Sequence, residues 1–71
     1  MSSNYKGRII QTLKTSAKAN IDRHIMNVDV LLGSHVGLAE HGDLMETIEK
    51  ELCEAAKYQD ILEMLNSHVG R

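Results

Sequence analysis

The sequence predicts an all-α protein, an antiparallel two-helix hairpin that assembles into a dimeric four-helix bundle or a higher oligomer. Three observations carry this expectation. Residues 4–32 and 43–67 form two long segments whose apolar residues recur at helical spacing, in a chain without proline. Between them, residues 33–42 hold Gly33, Gly37 and Gly42, and such glycine punctuation marks a loop. Finally, 71 residues make a single domain, and a domain this small has a marginal core when it stands alone.

The first segment reads Ile10, Lys14, Ala17, Ile21, His24, Val28, Leu31, in alternating steps of four and three. Leu13, Ile25 and Leu32 widen this stripe into a face broad enough for a core. Ser2, Ser3 or Asn4 is placed to cap its start, Gly7 weakens its first turn, and Gly33 is placed to end it in a left-handed conformation.

The loop leads into a second helix through Glu40, His41 and Gly42. Asp43-Leu44-Met45-Glu46 has the spacing of a capping box, in which Asp43 accepts from the first turn and Glu46 reaches back. The seam then runs Leu44, Ile48, Glu51, Ala55, Tyr58, Leu62, Leu65, Val69, a heptad with one polar interruption; Leu52 beside Glu51 belongs to the same apolar set. A seven-residue repeat drifts around a straight helix, so it implies left-handed supercoiling against a partner. Gly70 stops the helix.

Folding the chain about residue 38 brings together residues whose numbers sum to about 76. His24 then meets Glu51, one polar interruption on each helix. Such a pair fixes register, and as a functional device it would act as a pH-sensitive lock; its expected separation is within ~6 Å, the range of strong charge coupling. Lys14 falls near Leu62 and Glu63, and Lys18 near Tyr58. Apolar residues off the seam, among them Met26, Val30, Ile61 and Met64, would remain wet in a lone hairpin. This is why self-association is expected, with the seam residues doubling as part of the oligomer core.

Charge is segregated. Residues 1–25 carry a net of +4 and residues 40–63 a net of −6, in a chain whose overall charge is −2. The two stretches neutralise each other along the hairpin. The acidic helix and the scarcity of aromatic residues, Tyr5 and Tyr58 alone, argue against nucleic-acid binding. A small anionic ligand remains an alternative, with Lys14, Lys18 and Arg23 as its contacts in a pocket between first helices. Residues 30–39 are the longest uncharged stretch near the middle, too short to span a bilayer. The first eight residues lack the apolar core of a signal peptide. Cys53 is the sole cysteine, off the seam and without a neighbouring His or Arg to activate it. His35, Glu40, His41 and Asp43 are metal-ligating residue types, but their spacing matches no metal motif, and helix capping accounts for them. No enzymatic activity, cofactor or metal is expected, and a soluble protein of a reducing compartment is.

The run from Val36 to Leu52, with Val36-Gly37-Leu38-Ala39-Glu40-His41-Gly42-Asp43 at its head, resembles a group of short proteins encoded by tailed bacteriophages, T-even-like and marine phages among them. Their shared pattern is Val-Gly-apolar-small-Glu-His-Pro-Asp followed by an acidic helix. The resemblance extends over residues 18–66 and is most specific at Glu40-His41-x-Asp43. Gly42 stands where the group has Pro, and His35 where Pro often precedes Val-Gly. Both departures loosen the turn; the Pro that the group has at position 42 would suit a first helical position, which makes His41 a rival to Asp43 as helix cap. The resemblance implies a phage origin and a small helical protein; the role expected for such a chain is an accessory protein of the host bacterial cytoplasm, with a minor head or neck component of the virion as the alternative. It implies no catalytic residue. The partner would be a second copy of the chain together with a host or phage protein.

Overall fold

The computed structural model describes residues 4–33 and 41–70. These form two helices, α1 (Asn4–Leu32) and α2 (His41–His68), packed against each other, with no strand among the described residues. The body is a rod of 58 × 19 × 11 Å. Its radius of gyration is 16.7 Å, against about 11 Å for a compact domain of the same length. The shape follows from two uninterrupted helices of nearly equal length, with no third element among the described residues to fold over them.

The interior is one seam. Ala17, Val28, Ala55 and Leu65 are buried, together with His24. Ile10, Ile21 and Leu31 on α1, and Leu44, Ile48, Tyr58 and Leu62 on α2, are half-buried. Lys14 and Glu51 occupy the same rows and are half-buried as well. These positions are spaced by threes and fours, so each helix presents a single narrow stripe to the other.

Several expectations need correction. Leu52 is 45% exposed and lies outside the seam, because the heptad step from Ile48 to Ala55 passes through Glu51 and one further residue turns 100° away. Leu13, Ile25 and Leu32 flank the stripe, at 49%, 39% and 66% exposure, instead of widening the buried face. Val69 lies past the end of α2 and is exposed.

The helix ends differ too. The second helix starts at His41, two residues ahead of the capping-box position, so Asp43 sits inside the first turn, where its carbonyl accepts a 2.8 Å bond from Thr47 Oγ1. Its carboxylate still suits the positive end of the helix dipole. Gly33 is not left-handed: its N–H donates to Asp29 O at 3.0 Å and extends the helical ladder by one residue. Ser2, Ser3, His35, Gly37 and Glu40 lie outside the described residues.

Among the described residues, Gly70 is the glycine with a positive φ, 75°, as a left-handed cap after α2 requires. A Cβ built there would lie 2.8 Å from Ile10 Cδ1, so the end of α2 folds down onto the start of α1. Gly7, in contrast, has nothing within 4 Å of an added Cβ.

These two glycines predict opposite outcomes. Gly70→Ala places a side chain in the left-handed region and is expected to destabilise by about 1–2 kcal/mol. Gly7→Ala removes backbone freedom from an open helical site and is expected to stabilise by about 0.5–1 kcal/mol. Urea midpoints measured at one fixed protein concentration check both.

Candidate functional site

The polar residues of the seam form one connected cluster. His24, 8% exposed, lies on α1 at the level of Glu51 on α2. The heptad stepping puts both in the row that faces the other helix. Nδ1 of His24 stands 2.7 Å from Glu51 Oε1. Asn27, one turn further along α1, donates its Nδ2 to the same oxygen at 2.8 Å. The guanidinium of Arg23, a donor only, approaches His24 Nε2 at 3.4 Å. Glu51, an acceptor, lies on the Nδ1 side of the ring and Arg23 on the Nε2 side.

The ring of Tyr58 lies within 12° of parallel to that of His24, with centroids 6.0 Å apart, an offset stack. The Lys57 ammonium stands 5.0 Å from the Tyr58 centroid and 2.9 Å from Glu54 Oε1. The sequence placed Lys18 near this ring; the cation over it comes from α2 itself. Among the described residues no buried side-chain nitrogen or oxygen is left without a partner.

Hydrogen bonds from His24 and then Asn27 hold the Glu51 carboxyl below its ordinary value of 4.5, against a smaller opposing effect of burial. The hydrogen bond from Lys57 does the same for Glu54, and Glu54 in turn raises Lys57. An imidazole whose Nδ1–H is held by a carboxylate is also the orienting half of an acid–base pair. Here the other nitrogen faces Arg23 inside the seam, and among the described residues His24 bonds to no hydroxyl or thiol. The arrangement ties the two helices together at one level, through His24 and Asn27 on α1 and Glu51 on α2.

The remaining candidates are dispersed. Lys14 is half-buried in the seam row, Lys18 is exposed on a flank, and Arg23 is turned toward His24. Lys14 and Lys18 stand one helical turn apart on α1, and the anion pocket expected from the sequence would form between first helices of different chains. Cys53 is exposed. Asp43 and Glu46 are exposed on the first turns of α2, and His41 is its first residue. Among the described residues no group of three or more His, Cys, Asp or Glu is placed to hold a metal ion. No helix is long and apolar enough to cross a membrane. What the sequence did not indicate is the part played by Asn27, Arg23, Lys57 and Glu54. Asn27 is signalled only by its position three residues after His24, one turn along the same helix.

Compared with family models, with curated proteins and with solved structures, the chain matches none.

Two outcomes follow for the cluster. Removing one member of a buried pair leaves the other unsatisfied, while replacing both with apolar residues is tolerated. Glu51→Leu is expected to lower the urea midpoint more than His24→Leu, because His24 cannot reach water whereas the Glu51 side chain, 24% exposed, can. The double variant H24L/E51L is expected to match or exceed the wild type in stability, with register no longer fixed. The second outcome concerns pH. A carboxyl whose value is depressed on folding stabilises fully above its ordinary value and loses that contribution as pH falls through the lowered one. The urea midpoint is therefore expected to fall below about pH 4.5, and E51Q to show a shallower fall across the same window.

Proposed function

We propose that this chain is a non-catalytic helical interaction module that works as a dimer or higher oligomer. In that assembly it presents its outer surface to a second protein. The observation that carries this reading is its surface. The chain exposes 5582 Å², whereas a globular monomer of 7.9 kDa exposes roughly 4,400 Å². The excess of about 1,200 Å² exceeds what one partner contributes to a standard protein interface, about 800 Å². Much of it is apolar: Ile9, Met26, Leu32, Met45 and Met64 are each more than half exposed, while the buried apolar set among the described residues is Ala17, Val28, Ala55 and Leu65. Apolar surface left in water on this scale is what association with a partner would cover.

The biological setting belongs to the same proposal. The resemblance around Asp43 and the acidic start of α2 supports a small accessory protein of a tailed phage. It would act in the host cytoplasm on a host or phage protein.

Sedimentation equilibrium at concentrations up to about 0.1 mM tests the physical core of this reading. The expected mass is twice the 7.9 kDa chain or a higher multiple. A 7.9 kDa species throughout that range overturns it. Mass spectrometry of infected cells and of purified particles tests the setting: the peptides are expected in the cell extract and not in the particles.

A further inference from the structure

We infer that the second copy docks on one particular flank of the hairpin, carrying Ile25, Leu32, Met45 and Leu52. It lies with its loop at the same end and its α1 over the first copy's α2. This rests on the self-association proposed above and adds the surface and the symmetry.

The two flanks of the seam are not equivalent. On one, Asn27 bonds to Glu51, and Asn20 and Glu54 are half-buried, so polar groups close the gap between the helices. On the other, the positions that directly follow Ile10, Ala17, His24 and Leu31 on α1, and Leu44, Glu51, Tyr58 and Leu65 on α2, are all exposed, and the one charge among them is Lys18. In an antiparallel pair these following positions lie on the same side. The register set by His24 and Glu51 puts Ile25 beside Leu52, and Leu32 beside Met45. Two apolar layers about 10 Å apart therefore occupy the loop-end half of this flank. Their exposures are 39%, 45%, 66% and 62%.

These four side chains leave on the order of 400 Å² of apolar surface in water, a patch of the size that marks a functional surface on a monomer. Two copies face to face would cover roughly 800 Å² of it, and the surrounding rim brings the total into the 1,200–2,000 Å² range of specific interfaces.

Two arrangements with a two-fold axis bring this flank onto itself. An axis across the hairpin puts the loops at opposite ends. In full overlap it sets the apolar half of one copy on the polar half of the other, and it stacks α1 on α1. An axis along the hairpin keeps the loops together, lays apolar half on apolar half, and stacks α1 on α2. Charge selects the same arrangement. α1 carries five basic residues against two acidic, and α2 seven acidic against two basic. Only the second arrangement gives each basic helix two acidic neighbours. It is an up-and-down four-helix bundle in which every neighbouring pair is antiparallel.

Two measurements on the full chain test this. Ile25→Glu and Leu52→Glu are each expected to weaken dimerisation at least tenfold in sedimentation equilibrium. Leu13→Glu and Ile61→Glu, on the opposite flank, are expected to change it less than threefold, with helicity followed by far-UV circular dichroism. A wild-type monomer overturns the self-association reading itself. A dimer broken by the Leu13 and Ile61 variants but not by the Ile25 and Leu52 variants leaves self-association standing and overturns the choice of flank. The orientation is read without disturbing that surface, from a nitroxide on the exposed, outward Ser67 in the variant C53S/S67C. Loops at one end place the two labels about 30 Å apart, whereas loops at opposite ends place them about 40 Å apart or more, since residue 67 lies some 20 Å along the rod from its middle. The longer distance overturns the proposed symmetry even if the glutamate variants fail to fold.

Discussion

A single stripe of side chains between two long helices is the interior that the described residues provide, and the other features of the hairpin depend on how little that stripe can bury. Two rods in contact along one line cover only the positions that face each other. Alanines take two of the four buried apolar places, letting the helices approach closely but contributing small hydrophobic areas. Larger residues such as Leu13, Ile25 and Leu52 lie one step to the side and stay largely in water. A rod of this kind has a stable seam only as long as its register is kept, because a slip replaces a facing residue with a flanking one.

Register is where His24 and Glu51 matter. An apolar heptad is nearly indifferent to sliding by seven residues, but one polar group on each helix is not. Shifted out of alignment, His24 would bury an imidazole nitrogen without a partner, and the desolvation of such a group costs about 1–3 kcal/mol. In alignment, Nδ1, Nε2 and the shared Glu51 oxygen all have partners, and Tyr58 covers the imidazole face. The cluster adds specificity at little net gain in stability, as polar groups inside helical seams commonly do.

The charge distribution works at longer range in the same direction. A basic first helix beside an acidic second one disfavours parallel pairing of like helices. It leaves each helix attractive to the opposite kind in another copy. Exposed pairs such as Lys57 with Glu54 contribute little individually. In the proposed dimer, the opposite net charges of the two 28- to 29-residue helices would favour α1 of one copy against α2 of the other. The flanking residues that leave the hairpin marginal alone are largely the ones that would meet the second copy in the proposed dimer.

Helix content, the seam stepping and the level at which His24 meets Glu51 are properties of local periodicity and loop length, so they can be read from the chain. A helix turns 100° per residue whatever surrounds it, and an antiparallel fold about a short loop leaves little choice of register. Which glycine turns left-handed, where α2 begins, and whether Ile25 or Leu52 joins the core or flanks it could not be read that way. Nor could the closure of one flank by Asn27. Those outcomes depend on how closely the two axes approach and which side they tilt toward, a balance of contacts between residues distant in sequence. Gly33 continues its helix while Gly70 caps one, although both follow helical runs; at Gly70 the chain folds back onto Ile10. Two helices and one seam follow from local periodicity, whereas which side of that seam stays open follows from packing between the helices, which alone distinguishes its two flanks.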